Sequence, residues 1–177
     1  PILVGNPDEI AKVAEESGFN IRGAEIIDPM KYDRFDEMVE MFCELRKSKN
    51  IQPDEARKIL SAGNYFGTML VKMGKAHALL GGATYSTADT VRPALQLIKT
   101  RKGANLVSSC FILEREKEGV EEKLVMGDCA INIAYTDRLD KDGNVVLSAA
   151  AQLGEVAVET ARTARYFGID PKVAVLS

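Results

Sequence analysis

The sequence is poor in the residues that metal centres and disulfide frameworks need. It contains one histidine, His77, and three cysteines. The cysteines are widely spaced and no two form a C-x-x-C pair, so neither a disulfide framework nor a zinc site is indicated. With one histidine, the chain by itself excludes a His-rich metal cluster and most His-based catalytic triads. This use of cysteine is typical of a protein of the reducing cytoplasm.

Long runs of one charge sign and long apolar runs are also missing. Lys and Arg together number 23 and Asp and Glu 26, which gives a formal net charge of −3. This balance argues against nucleic acid or an anionic membrane as the main partner, so any anion site must be local. No apolar run is long enough to span a bilayer. The hydrophobic share of 46% is sufficient for a substantial core.

Hydrophobic spacing and helix breakers predict strands that alternate with helices, which indicates an α/β fold of undetermined sheet order. The residues on one face of the second helix, among them Met38 and Phe42, are expected in the core. Asn64 is predicted to cap a later helix, and His77 to be a half-buried strand residue. The predicted helices are residues 7–17, 33–47, 53–62, 64–74, 90–99 and 149–167. The predicted strands are residues 2–4, 24–27, 76–80, 106–113, 124–133 and 173–177, with a solvated hairpin turn at 114–123.

Residues 81–96 have the pattern of a ligand loop, in which an apolar strand ends in glycines, hydroxyls follow and a helix begins. Pro93 is tolerated in the first turn of a helix, so the start is expected near Asp89 or Thr90. Arg92 would then oppose the positive end of the helix dipole, which favours an anion bound at the same place. The alternative is that Asp89 neutralises Arg92 and the hydroxyls cap the helix. The pattern leaves both open.

Several segments, taken in order and spacing, resemble the phosphate acetyltransferase family and its relatives, the phosphate butyryltransferases. The resemblance covers nearly the whole chain. Each segment is weak alone, but their combined order makes the match specific. The segments are Pro-Ile-Leu-Val-Gly-Asn at residues 1–6, Ile-Ile-Asp-Pro at 26–29, Glu-Leu-Arg-Lys at 44–47, Asn-Tyr-Phe-Gly-Thr-Met at 64–69, residues 86–96 with Ile-Lys-Thr at 98–100, and Glu-Thr-Ala-Arg at 159–162 leading to 173–177.

The resemblance implies an enzyme that interconverts acetyl-CoA and phosphate with acetyl phosphate and CoA, without metal or covalently bound cofactor. In this reaction a deprotonated CoA thiol attacks the acyl carbonyl, which requires cations for phosphate, donors for the carbonyl oxygen and a carboxylate base. Arg46 and Arg92 match the family's anion-binding arginines. Ser86 and Thr87 match residues that line the same cleft, and Thr84 is a further candidate. By position alone, Arg46 belongs to a basic cluster that complements a helix C-terminus.

The implied fold is a pair of α/β/α three-layer units like those of the isocitrate and isopropylmalate dehydrogenases, with the active site in the cleft between them. Residues 1–103 would belong to the first unit, and residues 104–177 would open the second. The resemblance also implies a cytoplasmic homodimer with small-molecule substrates. Gly81 and Tyr85 depart from the family's usual serine and histidine, which leaves acyl-chain size and the phosphate contacts open.

The chain is expected to be an internal segment of a longer protein, because Pro1 is not an initiator methionine and the sequence stops within an apolar run. The resemblance places the thiol base and the transition-state contacts after residue 177, so no catalytic residue is expected within the chain. Phosphate butyryltransferase remains an alternative, and so does a non-catalytic acyl-CoA-sensing domain of the kind fused to malic enzymes. Dinucleotide binding is disfavoured because Gly81 and Gly82 lack G-x-G-x-x-G spacing.

Overall fold

The computed structural model describes residues 1–82 and 84–176. Ala83, in the predicted ligand loop, and Ser177, at the end of the last predicted strand, lie outside the described residues. The chain divides into two compact units, of which the first is Pro1–Lys99 and the second begins at Thr100.

The first unit combines a short parallel strand pair with helices. Strands β1 and β2 pair in the register Ile2↔Glu25 to Val4↔Ile27. A π-helical turn at Ala94–Ile98 follows the last helix directly. The elements in order are β1 (Ile2–Val4), α1 (Pro7–Ser17), β2 (Glu25–Ile27), α2 (Phe35–Leu45), α3 (Pro53–Leu60), α4 (Gly63–Lys72) and α5 (Thr87–Pro93), with short 3-10 turns at Pro29–Lys31 and Lys47–Lys49.

The two ends of helix α1 are determined by residues next to it in the sequence. The side chain of Asn6 accepts hydrogen bonds from the backbone N–H groups of Asp8 at 2.9 Å and Glu9 at 3.2 Å. Pro7 occupies the first turn, where no N–H partner is needed, and Gly18 ends the helix at a φ of 69°. The prediction of a helix over residues 7–17 is confirmed.

The core of the first unit lies between α2 and the helices that follow it. Met38 and Phe42 are fully buried on the predicted apolar face of α2. The ring of Phe66 packs edge-on against Tyr32 at 5.3 Å and stacks near Phe35 at 6.4 Å. Such aromatic pairs add to the stabilisation that burial provides. The buried cluster consists of Ile27, Met38, Val39, Phe42, Ala56, Leu60, Phe66, Met69, Leu70 and Leu97.

The second unit contains two hairpins and a long helix. Its elements are β3 (Cys110–Lys117), β4 (Val120–Gly127), β5 (Arg138–Leu139), β6 (Val145–Leu147) and α6 (Ala149–Tyr166). Strands β3 and β4 pair without interruption from Cys110↔Gly127 to Lys117↔Val120. Helix α6 lies close to its predicted range.

The predicted hairpin at the charged run 114–123 is confirmed, but its turn is shorter than predicted, because most of the run is part of the ladder. Opposite charges face each other across the strands, with Lys123 paired to Glu114 at 2.9 Å and Arg115 to Glu122 at 2.5 Å. The turn is confined to Glu118 and Gly119, whose φ angles of 54° and 78° fit a tight hairpin.

Two strand predictions are wrong. Residues 76–80 and 173–176 form no strand, and Leu80 is 99% exposed. His77, expected in a half-buried strand, is exposed. A strand needs a neighbour for its backbone hydrogen bonds, and within the part of the chain that the structure describes β1 pairs only with β2. In the same residues no helix is long and apolar enough to cross a membrane.

Strand β4 ends at Gly127, and a polar cluster follows it rather than the predicted continuation to residue 133. Asp128 has a φ of 51°, an unfavourable angle for a residue other than glycine. Its carboxylate accepts hydrogen bonds from the Tyr135 hydroxyl and, at 2.6 Å, from the Asn132 side chain. The Asn132 amide also donates to the carbonyl of Val107 at 2.9 Å. These bonds hold the chain in its turn.

The same contacts shift two pKa values. Burial works against ionisation of Asp128, but the hydrogen bonds from Tyr135 and Asn132 outweigh it, so the pKa of Asp128 is lowered. Burial, with the hydrogen bond to Asp128, raises the pKa of Tyr135 to about 12. A raised pKa means that folding favours the protonated phenol. The stability it contributes is therefore present below the unfolded value of about 10 and is lost as pH rises from there toward 12.

Replacing Tyr135 with Phe is expected to lower the free energy of unfolding at pH 7 by about 1–2 kcal/mol, because a hydrogen bond to a charged acceptor is lost. The wild-type advantage should shrink above pH 10. Urea unfolding at pH 7 and pH 11 measures both effects. Tyr166→Phe is the matched control, since Tyr166 is 81% exposed and should change neither value. An equal effect of the two variants would contradict the role given to the cluster.

Candidate functional site

The hydroxyl-rich stretch before Arg92 begins a helix earlier than expected. The N-cap of α5 is Ser86, so the prediction of a start at Asp89 or Thr90 is wrong. The Ser86 oxygen accepts from the backbone N–H of Asp89 at 3.1 Å, and its hydroxyl donates to Asp89 Oδ2 at 2.7 Å. Ser86 therefore caps the helix in the usual way, and its hydroxyl proton is taken up by the Asp89 carboxylate.

The earlier start changes the setting of Arg92. The residue lies in the last turn of α5, not the first, so the argument from the positive end of the dipole does not apply to it. Arg92 Nη1 lies 3.5 Å from Asp89 Oδ1, and the two side chains are 56% and 47% exposed. Such exposed pairs contribute at most about 1 kcal/mol. Asp89 therefore neutralises Arg92 only weakly, and the guanidinium remains accessible to another anion.

Pro93 lies inside a helical stretch that continues into the π-helical turn, although a proline was expected only in a first turn. Proline has no N–H, so the carbonyl one turn before it, that of Asp89, loses its normal donor. The side-chain amide of Asn64 donates to that carbonyl at 2.7 Å. Asn64 is consequently not the cap of α4, whose N-cap is Ala62 and carries no side-chain hydrogen bond.

Arg46 lies at the C-terminal end of α2, where its backbone N–H bonds the last carbonyls of the helix. Its position complements the dipole, as the structural alternative predicted. Its side chain nevertheless differs from that of Lys47, which is paired with Glu44 at 2.6 Å. Among residues 1–82 and 84–176, Arg46 forms no ion pair, and its buried Nε has no hydrogen-bond partner. An unpaired buried donor is costly and favours an anion.

The three candidate hydroxyls differ in availability. Ser86 uses its proton for Asp89, whereas the structure shows no hydrogen bond from Thr87 or Thr84 within the residues it describes. Both threonines are exposed. Thr87 follows the Ser86 cap on the same segment as Arg92, so it is the best placed of the three to donate to a ligand.

One aromatic side chain links the elements that carry the two arginines. The ring of Tyr65 in α4 packs edge-on against Phe42 at 6.2 Å, one turn before Arg46. The hydroxyl of Tyr65 donates to Gln96 Oε1 at 3.0 Å, one turn after Arg92. Asn64, Tyr65 and Gln96 were not predicted as part of the site. The sequence signal for Asn64 was Pro93, because a proline inside a helix leaves a backbone carbonyl that needs a donor from elsewhere in the chain.

The two positions that depart from the family pattern differ in their surroundings. A Cβ added at Gly81 would meet nothing within 4 Å, so a serine fits there. The Tyr85 hydroxyl lies against Gly63, where an added Cβ would come within 3.2 Å of it. The described residues contain no group of three or more His, Cys, Asp or Glu side chains that could hold a metal ion.

The chain matches a family model described as "Phosphate acetyl/butaryl transferase" over residues 1–177. It is 46% identical over 177 residues to a protein named phosphate acetyltransferase from Bacillus subtilis, which it covers to 49%. A relative of the same name from Corynebacterium glutamicum is 41% identical over 176 residues and is covered to 48%.

Two solved structures are similar over the whole chain. The phosphotransacetylase from Streptococcus pyogenes is 44% identical with a TM-score of 0.81, and the EutD phosphotransacetylase from Staphylococcus aureus is 41% identical with a TM-score of 0.77. The chain covers 49% and 48% of these structures, so it spans about half the length of its relatives. The family model nevertheless matches every residue of the chain, which therefore belongs to the phosphate acetyl/butyryl transferase family.

Proposed function

We propose that this chain is part of a phosphate acetyltransferase, which interconverts acetyl-CoA and phosphate with acetyl phosphate and CoA. Its relatives of that name match it from end to end. The observation that carries a site in this chain is Arg46, whose buried Nε has no hydrogen-bond partner among the described residues. A guanidinium held in this way suits a phosphate group, since its planar donors match phosphate oxygens.

In the proposed reaction the CoA thiolate attacks the carbonyl carbon of acetyl phosphate. A carbon–sulfur bond forms, the carbon–oxygen bond to phosphate breaks, and phosphate leaves with the electron pair. Arg46 and Arg92 bind the anionic groups of phosphate and CoA, and the Thr87 hydroxyl donates to an oxygen of the same groups. Ser86 would take part by turning its hydroxyl from Asp89, and Thr84 is a further donor. CoA is a substrate here and not a bound cofactor.

The remaining features of the family are proposed with it. They are the paired α/β/α dehydrogenase-like architecture, with residues 1–103 in the first unit and 104–177 in the second, the homodimer and the cytoplasmic location. Phosphate butyryltransferase is the second candidate, because the description of the matching family names both acyl groups. A higher kcat/KM of the full-length protein with butyryl-CoA than with acetyl-CoA would decide for it.

The 177-residue chain alone is expected to be inactive, since the thiol base and the transition-state contacts are proposed to lie outside it. The test compares acetyl phosphate formation from acetyl-CoA and phosphate by the chain and by the full-length protein. Circular dichroism serves as the control that the chain has folded. Robust product formation by the folded chain would refute this assignment.

Replacing Arg92 with Ala in the full-length protein is expected to lower kcat/KM for phosphate or CoA about 10- to 100-fold, the effect of losing a charge-assisted hydrogen bond to an anion. Initial rates over a range of phosphate and CoA concentrations measure it. The matched control is Arg34→Ala, which removes another exposed arginine paired three residues along a helix, here with Glu37 at 2.7 Å. Unchanged kinetics of the Arg92 variant, with reduced stability, would assign Arg92 a structural role only.

A further inference from the structure

The helix that carries Arg92 has a gap in its backbone hydrogen bonding. Pro93 has helical angles, with φ −58° and ψ −43°, and the helix continues past it. Any other residue at this position would direct an N–H toward the carbonyl of Asp89. That carbonyl instead receives the side-chain amide of Asn64 from 25 residues away in the sequence, at 2.7 Å. Asn64 thus replaces a main-chain donor.

The donor is itself held in place. Asn64 is partly buried, and its Oδ1 accepts the backbone N–H of Tyr65 at 2.9 Å. Tyr65 makes the second contact through its hydroxyl, which donates to Gln96 at 3.0 Å. Two consecutive residues of α4 therefore bond the helix on either side of Pro93, and Arg92 lies between the two attachments.

Asp89 connects this attachment to the site. Its carbonyl accepts from Asn64, while its carboxylate accepts from Ser86 and lies beside Arg92. A shift of the Asp89 backbone would therefore move the side chain that orients Arg92 as well as the helix that carries it. No other side chain in the described residues donates to that carbonyl.

We propose that Asn64 is a positioning residue for the phosphate or CoA site, acting on Arg92 through the carbonyl of Asp89. The proposal rests on the proposed function, in which Arg92 binds an anion. The substrate itself is not contacted by Asn64. Loss of its amide leaves Asp89 with an unpaired carbonyl and releases the first attachment of the helix, so the affinity for the anion falls more than the rate of the bound complex.

The test uses the full-length protein with inorganic phosphate and acetyl-CoA. Asn64→Ala is expected to raise the KM for phosphate about three- to tenfold, the effect of one hydrogen bond, with kcat within about twofold. The Pro93→Ala change restores a backbone N–H for the Asp89 carbonyl. The double variant should therefore recover most of the lost affinity, whereas Pro93→Ala alone should stay near the wild-type KM.

The control for a general loss of stability is Asn6→Ala, which removes side-chain bonds to Asp8 and Glu9 at α1 in the same unit. It should lower Tm but leave the KM for phosphate unchanged. The proposal is overturned if Asn64→Ala behaves like this control, or if Pro93→Ala does not rescue it. Hydrogen exchange of the backbone amides in residues 90–98 provides a measurement that does not depend on activity. The exchange rate should rise in Asn64→Ala but not in Pro93→Ala or Asn6→Ala.

Failure of the proposed function is distinguishable from failure of this inference. If Arg92→Ala leaves the KM values for both phosphate and acetyl-CoA unchanged, the anion role of Arg92 is wrong, and with it the positioning of Arg92 for an anion. Hydrogen exchange then still decides whether Asn64 holds the helix. If Arg92→Ala weakens phosphate binding and Asn64→Ala does not, the function stands and the positioning role is overturned.

Discussion

The first unit depends on the burial of one apolar helix face. Phe42 and Phe66 are fully buried, and Leu97 of the π-helical turn is buried in the same cluster. Filling such a close-packed core stabilises the fold more than any single polar contact in it, since each large side chain contributes about 1.5–3 kcal/mol. Because Leu97 lies so near Arg92 and Pro93 in the sequence, the core also determines where the candidate anion-binding stretch is attached.

The sequence predicted the elements whose causes are local. Asn6, Pro7 and Gly18 are neighbours of the helix they delimit, and the spacing of Met38 and Phe42 records a single helical face. The failed strands at residues 76–80 and 173–176 have the right composition, but a strand exists only with a hydrogen-bonded neighbour, and composition does not supply one. The hairpin was predicted at the right place but with too long a turn, because cross-strand pairs such as Glu114 with Lys123 allow a charged run to form a ladder.

The family resemblance predicts which residues belong to the candidate site. No local sequence pattern predicts how those residues are arranged. The prediction of Arg92 depends partly on Pro93 as a sign of a helix start, which is wrong because the missing N–H of Pro93 is not compensated locally. The structure compensates for it with Asn64, 25 residues away. No propensity or spacing rule connects two such residues, whereas the requirement that a helix carbonyl without its main-chain donor be satisfied does, once the fold is known.

Asp89 raises the question of whether a substrate can displace a carboxylate already beside Arg92. The pair is 3.5 Å apart and about half exposed on both sides, so its contribution is small. A phosphate group that accepts two charge-assisted hydrogen bonds from the guanidinium gains more than that pair does. Asp89 can then keep its bonds to Ser86 and Asn64 while giving up Arg92, since different atoms make them. In the proposed site the carboxylate would therefore orient the arginine when no anion is bound, without closing the site to one.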